Sequence, residues 1–427
     1  MVEYHIEGGF PIKGTVEASG NKNAALPCIA ACLLTKEEIT LHRIPEIQDT
    51  RVMLEILKAL GVSVKDISNH SWKIQAKGPI SSEIPSDLSK LIRASILFAG
   101  PLIARTGKAI LPPPGGDVIG RRRLDTHFLV LNDLGARVNT NGQFTFLANK
   151  LVGADIFLDE ASVTATENAI MAAVLAENQT ELTNAACEPH VQDLCNMLNS
   201  MGAKITGIGS NHLIINGVKE LHGCEFEIGP DFMEIGSYIG LAAASKGCIT
   251  ITNIKPKDLR PIKLSFGKLG IHWEVFQDTI TVPIEQSMQV NTDLGGMIPK
   301  IDDAPWPGFP PDLTSIMTVV ATQIKGTVLI HEKMFESRMF FVDKLIGMGA
   351  RITLCDPHRA VVSGPCMLHG DEELSSPDVR AGMAIVIAAL CASGESIIRN
   401  VYQVERGYEH LTEKLQKLGA HIKRVEN

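Results

Sequence analysis

One pattern occurs six times along these 427 residues: an amphipathic helix closes on a hydrophobe and a glycine, and alternating apolar residues follow. The copies are "LEILKALGVSV", "FLVLNDLGARV", "LCNMLNSMGAKI", "KLSFGKLGIHW", "VDKLIGMGARI" and "LTEKLQKLGAHI". Their glycines, Gly61, Gly135, Gly202, Gly270, Gly349 and Gly419, lie 74, 67, 68, 79 and 70 residues apart. A glycine just past a helix supplies the left-handed backbone that ends it, and the alternation after it predicts a strand. A period of this length makes the fold a repetition of one supersecondary unit, which constrains it more than any composition does.

Each unit has a second helix upstream, apolar on most faces but polar in its first turn. These are "SGNKNAALPCIAACLL", "KLIRASILFAGPLIA", "SVTATENAIMAAVLAE", "DFMEIGSYIGLAAASKG", "FPPDLTSIMTVVATQIKG" and "DVRAGMAIVIAALCASGE". Helices of this kind are buried. A short β-branched run and a charged loop follow each one, as in "VLIHEKMFESR". The predicted fold is α/β: a two-domain inside-out α/β barrel of six units, with buried helices inside and sheets and amphipathic helices outside. Three units make an N-terminal domain over 21–229, carrying a mobile loop at 112–123. The other three make a C-terminal domain from 1–20 and 230–427, with the active site expected in the cleft between the domains. The opening segment "VEYHIEGGFPIKGTVEAS" predicts two strands that find their edges in the C-terminal domain.

Composition narrows the function. The formal charge of −8 and pI near 5.9 argue against a nucleic-acid partner, which needs a basic face. The N-terminus has two glutamates and no sustained apolar run, so no secretory signal is expected. The longest apolar stretches, such as "AGMAIVIAALCASG", fall short of a bilayer span, and a cytoplasmic protein is the reading. Nine scattered cysteines without a C-x-x-C suit reduced thiols. Cys28 and Cys32 read as core packing, and Cys187 with His190 is only half of a metal site. Phosphate-loop, dinucleotide, serine-hydrolase and zinc-protease motifs are missing, so no metal and no organic cofactor is expected.

The polar starts of the buried helices and the charged loops fall at corresponding ends of their units. They supply Lys22 with Asn23, Arg93, Ser162 with Asn168, Asp231 with Glu234, Asp312, and Asp378 with Arg380. The loops add Asp117, Arg122, Glu188, Arg338 and Arg406. Free helix amides and several arginines suit an anionic ligand, and Asp117 and Asp312 stand out as proton carriers. Each residue alone has a blander reading: a solvated lysine for Lys22, first-turn capping for Asp231 with Glu234, a cap of the next helix for Asp312, and ion pairs for the arginines. Recurrence at equivalent unit positions favours function, since a purely structural repeat does not need charges there.

At these residues the chain closely resembles the UDP-N-acetylglucosamine 1-carboxyvinyltransferases, the enolpyruvyl transferases that open bacterial peptidoglycan synthesis. The likeness spans essentially the whole length. It runs through "SGNKNAALP", "RAS", "PGG-x-x-IG-x-R-x-x-D-x-H", "SV-x-AT", "EP", "D-x-x-E-x-G", "PGFP-x-D", "FE-x-R", "D-x-RA" and "RGYE", in order. The resemblance implies transfer of the enolpyruvyl group of phosphoenolpyruvate to the sugar 3-hydroxyl, through a tetrahedral intermediate that loses phosphate. It implies Asp312 as base, with Lys22, Arg122 and Arg406 on the phosphate. Arg93, Arg338 and Arg380 match cationic positions around the reactants, and Asn23 matches a contact to the intermediate. Ser162, Val163, Thr164, Arg122, Arg123, Leu124 and Asp125 match the nucleotide-binding stretches. Glu188, Asp231, Phe335 and Asp378 complete the substrate-binding candidates.

Departures from the family pattern bear on the same sites. Most members carry a cysteine on the mobile loop where this chain has Asp117. To donate a proton at neutral pH, an aspartate beside arginines needs burial or added negative charge from the ligands. Epoxide inhibitors such as fosfomycin alkylate that thiolate, so resistance is expected here. Thr164 stands where the family has glycine, and Arg123 and Thr126 replace a proline and a leucine. A paralogue using another nucleotide, or a non-catalytic nucleotide-sugar binding protein, is therefore the alternative.

Overall fold

The computed structural model describes residues 2–68, 70–116, 120 and 123–426. The chain divides into two compact units. One runs from Gly20 to Gly229, residues 118–121 set aside; the other joins the first strands, up to Ser19, to Pro230 and everything after it. Each unit has its own hydrophobic core and three sheets. The buried helices are Lys22–Ala31 (α1), Ala99–Thr106 (α2), Val163–Ala173 (α3), Phe232–Ala244 (α4), Thr314–Thr322 (α5) and Val379–Cys391 (α6). All thirteen residues of α4 are buried, and α4, α5 and α6 pack on one another. Gly236 and Gly240, one turn apart on α4, leave room for Leu313 and for Ile316 of α5; a Cβ on either would approach those side chains to 2.6 Å.

All six glycines of the repeat have positive φ, between 73° and 100°. They end the helices as the pattern predicts, and the strands after them begin within a few residues, as in Ser63–Ser68 and His421–Glu426. Among the described residues, five of the six sheets combine antiparallel strands with one parallel edge, and the sixth, Lys108–Leu111 with Phe144–Leu147 and Arg137–Asn139, is antiparallel throughout. Asp155–Phe157, for example, lies parallel to Gln179–Thr183 across α3. At the two crossings between units the edges are exchanged. Lys13–Glu17 precedes α1 but pairs parallel with Cys248–Thr252, after α4, whereas Glu225–Glu227 precedes α4 but pairs parallel with Glu38–His42, after α1. Val2–Gly8 lies between Gly394–Arg399 and His421–Glu426, antiparallel to both. The opening strands thus find their edges in the unit formed by the C-terminal part of the chain.

Candidate active site

In the unit of α4, α5 and α6, the helix starts carry aspartates with different tasks. Asp231 caps α4, accepting from Met233 N at 2.8 Å and Glu234 N at 3.2 Å. Asp378 caps α6, accepting from Arg380 N at 2.8 Å and Ala381 N at 3.0 Å. Asp312 does not cap. Pro311–Leu313 forms a 3-10 turn, Leu313 takes the cap position of α5, and no side chain caps that helix. The Asp312 carboxylate instead meets two guanidinium groups, Arg338 Nη2 at 2.6 Å and Arg380 Nε at 3.0 Å. Although burial opposes ionisation, the two arginines hold Asp312 well below the usual carboxylate range.

The arginines are themselves held. Arg338 lies 4.9 Å from the centre of the Phe335 ring, and Arg380 lies 5.1 Å from that of Tyr408. The Tyr408 hydroxyl is 2.8 Å from Ser237 Oγ, which donates to Met233 O. Burial pushes the Asp231 carboxyl up while the Arg380 charge opposes it. Arg406 is 7% exposed and donates to Gln403 Oε1 at 3.0 Å. Glu234 has another role: it accepts from Ser19 N at 2.7 Å and Lys414 Nζ at 2.8 Å, tying the opening strands to α4.

In the unit of α1, α2 and α3, Asn21 caps α1, which places Lys22 and Asn23 in its first turn. Lys22 is not a solvated lysine: its ammonium lies 2.7 Å from Asp49, whose side chain is 5% exposed. Asp49 escaped the sequence reading, although its place in the charged loop after the first unit's strand is a signal that was available. Arg93 opens the 3-10 turn before α2 and donates to the Arg123 carbonyl at 3.3 Å. Arg123 also bridges Asp125 at 3.1 Å and Asp159 at 3.2 Å, and Thr126 donates to Asp159 at 2.8 Å. Leu124 takes the cap position of the helix Asp125–Asp133, and Glu188 that of Pro189–Ser200.

Ser162 caps α3, leaving Val163 and Thr164 in its first turn. Behind them is a buried network. The Asn168 oxygen accepts from Gly100 N at 2.8 Å, so its amide nitrogen is the donor, to Ile96 O and to His127 Nδ1, both at 2.9 Å. Neutral His127 therefore carries its proton on Nε2 and gives it to the Thr164 hydroxyl at 3.1 Å. Burial lowers His127 to about 3. Cys32 Sγ donates to the Cys28 carbonyl within α1 and its 3-10 extension, and both thiols are buried, as core packing requires. Asp117 and Arg122 lie outside the described residues. No helix among those described is long and apolar enough to cross a membrane.

Comparison with known proteins identifies the family. The family described as EPSP synthase (3-phosphoshikimate 1-carboxyvinyltransferase) matches residues 6–415. A relative from Treponema denticola, named UDP-N-acetylglucosamine 1-carboxyvinyltransferase, is 70% identical over 99% of both chains. Relatives of the same name from Treponema pallidum and Bradyrhizobium diazoefficiens are 63% and 53% identical, covering 98% or more of each chain. Among solved structures, the enolpyruvyl transferase NikO from Streptomyces tendae shares the fold with a TM-score of 0.88 at 24% identity, covering 99% of both chains. EPSP synthase from Acinetobacter baumannii follows with a TM-score of 0.75 at 17% identity and full coverage. The chain belongs to this enolpyruvyl transferase family, in the branch of the UDP-N-acetylglucosamine 1-carboxyvinyltransferases.

Proposed function

We infer that the chain transfers the enolpyruvyl group of phosphoenolpyruvate to the 3-hydroxyl of UDP-N-acetylglucosamine and releases phosphate, the opening step of peptidoglycan synthesis. The observation that carries this is the full-length identity, 70% over 99% of both chains, to a relative of that name. The site chemistry is consistent with it. Addition needs a base for the hydroxyl and an acid for the methylene carbon; elimination then needs cations around the departing phosphate. We assign Asp312 as the base. Its two arginines keep it ionised, so it becomes proton-accepting when substrate anions draw guanidinium charge away from it. Asp117 is assigned as the acid in place of the usual thiol, and Lys22, Arg122 and Arg406 as the phosphate contacts.

Ser162, Val163 and Thr164, with Arg123, Leu124 and Asp125, are assigned to the nucleotide, and Asn23 to the intermediate. Arg93, Glu188, Asp231, Phe335, Arg338, Asp378 and Arg380 surround or orient the reactants. The reading places the protein in the cytoplasm, where both substrates are made, and needs no nucleic acid, membrane or cofactor. Phosphate release from phosphoenolpyruvate is the test, with UDP-N-acetylglucosamine compared against UMP and other UDP-sugars. Release only with UDP-N-acetylglucosamine is expected; preference for another acceptor would overturn the acceptor assignment, and no release with any would overturn the enzyme.

A further inference from the structure

Two buried carboxyl groups have no role in the assignments above. Asp303 follows the strand Lys300–Asp302, Glu332 follows the strand Gly326–His331, and both are 0% exposed. One oxygen of each is satisfied by backbone: Asp303 Oδ1 accepts from Lys333 N, and Glu332 Oε1 from Phe335 N at 3.2 Å. The other two, Asp303 Oδ2 and Glu332 Oε2, are buried and find no donor among the described residues. Asp303 N donates to His331 O at 3.3 Å and Asp303 Oδ1 accepts from Lys333 N, so the two carboxyls stand side by side directly after paired parallel strands. Two carboxylates offer only acceptors, so neighbouring buried carboxyls that each keep an oxygen without a donor are reconciled by a proton between them.

We propose that Asp303 and Glu332 share one proton and act as a positioning pair for Arg338, so that losing this proton at alkaline pH slows the reaction. The effect on turnover rests on the function inferred above. Arg338 is the charged group that links the pair to the site. It donates to Asp312 through Nη2, it interacts electrostatically with Glu332 and Asp378, and its Nε is buried without an acceptor among the described residues. With the proton in place, the pair carries one negative charge and leaves Arg338 to Asp312. Without it, a second buried carboxylate offers Nε an acceptor and competes for the guanidinium. The other groups facing Glu332 are the Thr314 hydroxyl from the start of α5, the flanking Lys333, and His358, whose Nδ1–H donates to the Glu332 carbonyl at 2.7 Å. Burial pushes Glu332 up to about 8, with Asp303 adding to the rise and Arg338 opposing it.

The test is kcat and KM against pH for the full-length protein and two variants. Wild-type kcat should fall about tenfold per pH unit above the pair's ionisation. Glu332→Gln, which cannot lose the proton, should keep most of its kcat at pH 7 and lack the alkaline fall. Asp303→Asn leaves the charge on Glu332, facing Arg338, and should lower kcat at every pH. A wild-type kcat that stays level past pH 9, or a Glu332→Gln variant with the wild-type fall, would overturn the proposal. The infrared band of a protonated carboxyl that the wild type has and Glu332→Gln lacks supplies a readout that needs no turnover, since the band of buried Glu167 is common to both and cancels in the difference. It should vanish with the midpoint of the kcat fall, and a different midpoint or no band counts against the pair. If no acceptor supports phosphate release, the functional reading fails while the band still tests the shared proton.

Discussion

Asn168→Asp is a sharp probe of the network beneath Thr164. In the wild type His127 is 1% exposed and stays neutral down to about pH 3, whereas an unfolded histidine titrates near 6.5. The folded state therefore binds fewer protons than the unfolded state between these values. Stability is fully present above the unfolded value and falls as pH drops, by about 1.4 kcal/mol per pH unit. From pH 6.5 to 4.5 the loss from this group is roughly 3 kcal/mol. The aspartate still accepts from Gly100 N but puts a carboxylate where an amide donated to His127 Nδ1 at 2.9 Å. That charge raises the histidine and removes the slope. It also strands the Ile96 carbonyl, which costs about 1–3 kcal/mol at pH 7. Urea unfolding at successive pH values should show a variant that is weaker at pH 7 and converges on the wild type by pH 4.5. The buried carboxyls Glu167, Glu332 and Asp231 titrate in both proteins and cancel in the difference. Parallel curves would refute the neutral, Asn168-bound histidine.

Other expectations are simpler. Asp49→Ala removes the carboxylate held 2.7 Å from Lys22 and frees that ammonium; kcat/KM for phosphoenolpyruvate should drop by about 10–100-fold, as charge-assisted contacts of this kind suggest. Arg380→Met leaves Asp312 with one guanidinium instead of two, so chemical denaturation should show a loss of about 3 kcal/mol, the low end for breaking a buried pair. Asp117→Asn should abolish phosphate release while Asp117→Cys retains it. Fosfomycin should leave the wild type unmodified and add its mass to the cysteine variant, as intact-mass measurement would record.

What was legible in the sequence was local. The glycines at 61, 135, 202, 270, 349 and 419 announced six helix ends because a left-handed backbone is a property of one residue and its neighbours. The buried helices were legible because apolar residues on every face leave few alternatives. Asn168 could be named as polar, but its partners Gly100, Ile96 and His127 lie 41 to 72 residues away and follow only from packing. Lys22 with Asp49 is a case of the same kind. For Asp312, the local rule pointed the wrong way: "FPPD" suggests a capping aspartate, but the 3-10 turn moves the cap position on to Leu313 and turns the carboxylate to arginines 26 and 68 residues distant.

On the proposed assignment of Asp312 as the base, that displacement explains how a repeat generates one reactive residue among equivalents. Asp231 and Asp378 stand at matching helix starts and each accepts two amides of its own helix. Backbone donors are fixed, so such a carboxylate stays committed as long as the helix is folded. Asp312 is satisfied by side chains instead, and its nearest partner, Arg338, sits in the segment after Glu332 rather than in the same helix. Side-chain donors can turn toward an incoming anion at the cost of rotamer changes alone. A carboxylate held this way is ionised at rest yet can be released to accept a proton when phosphate and carboxylate groups of a substrate arrive. One residue of slippage in the cap, from Asp312 to Leu313, thus separates a helix-stabilising aspartate from one available for chemistry.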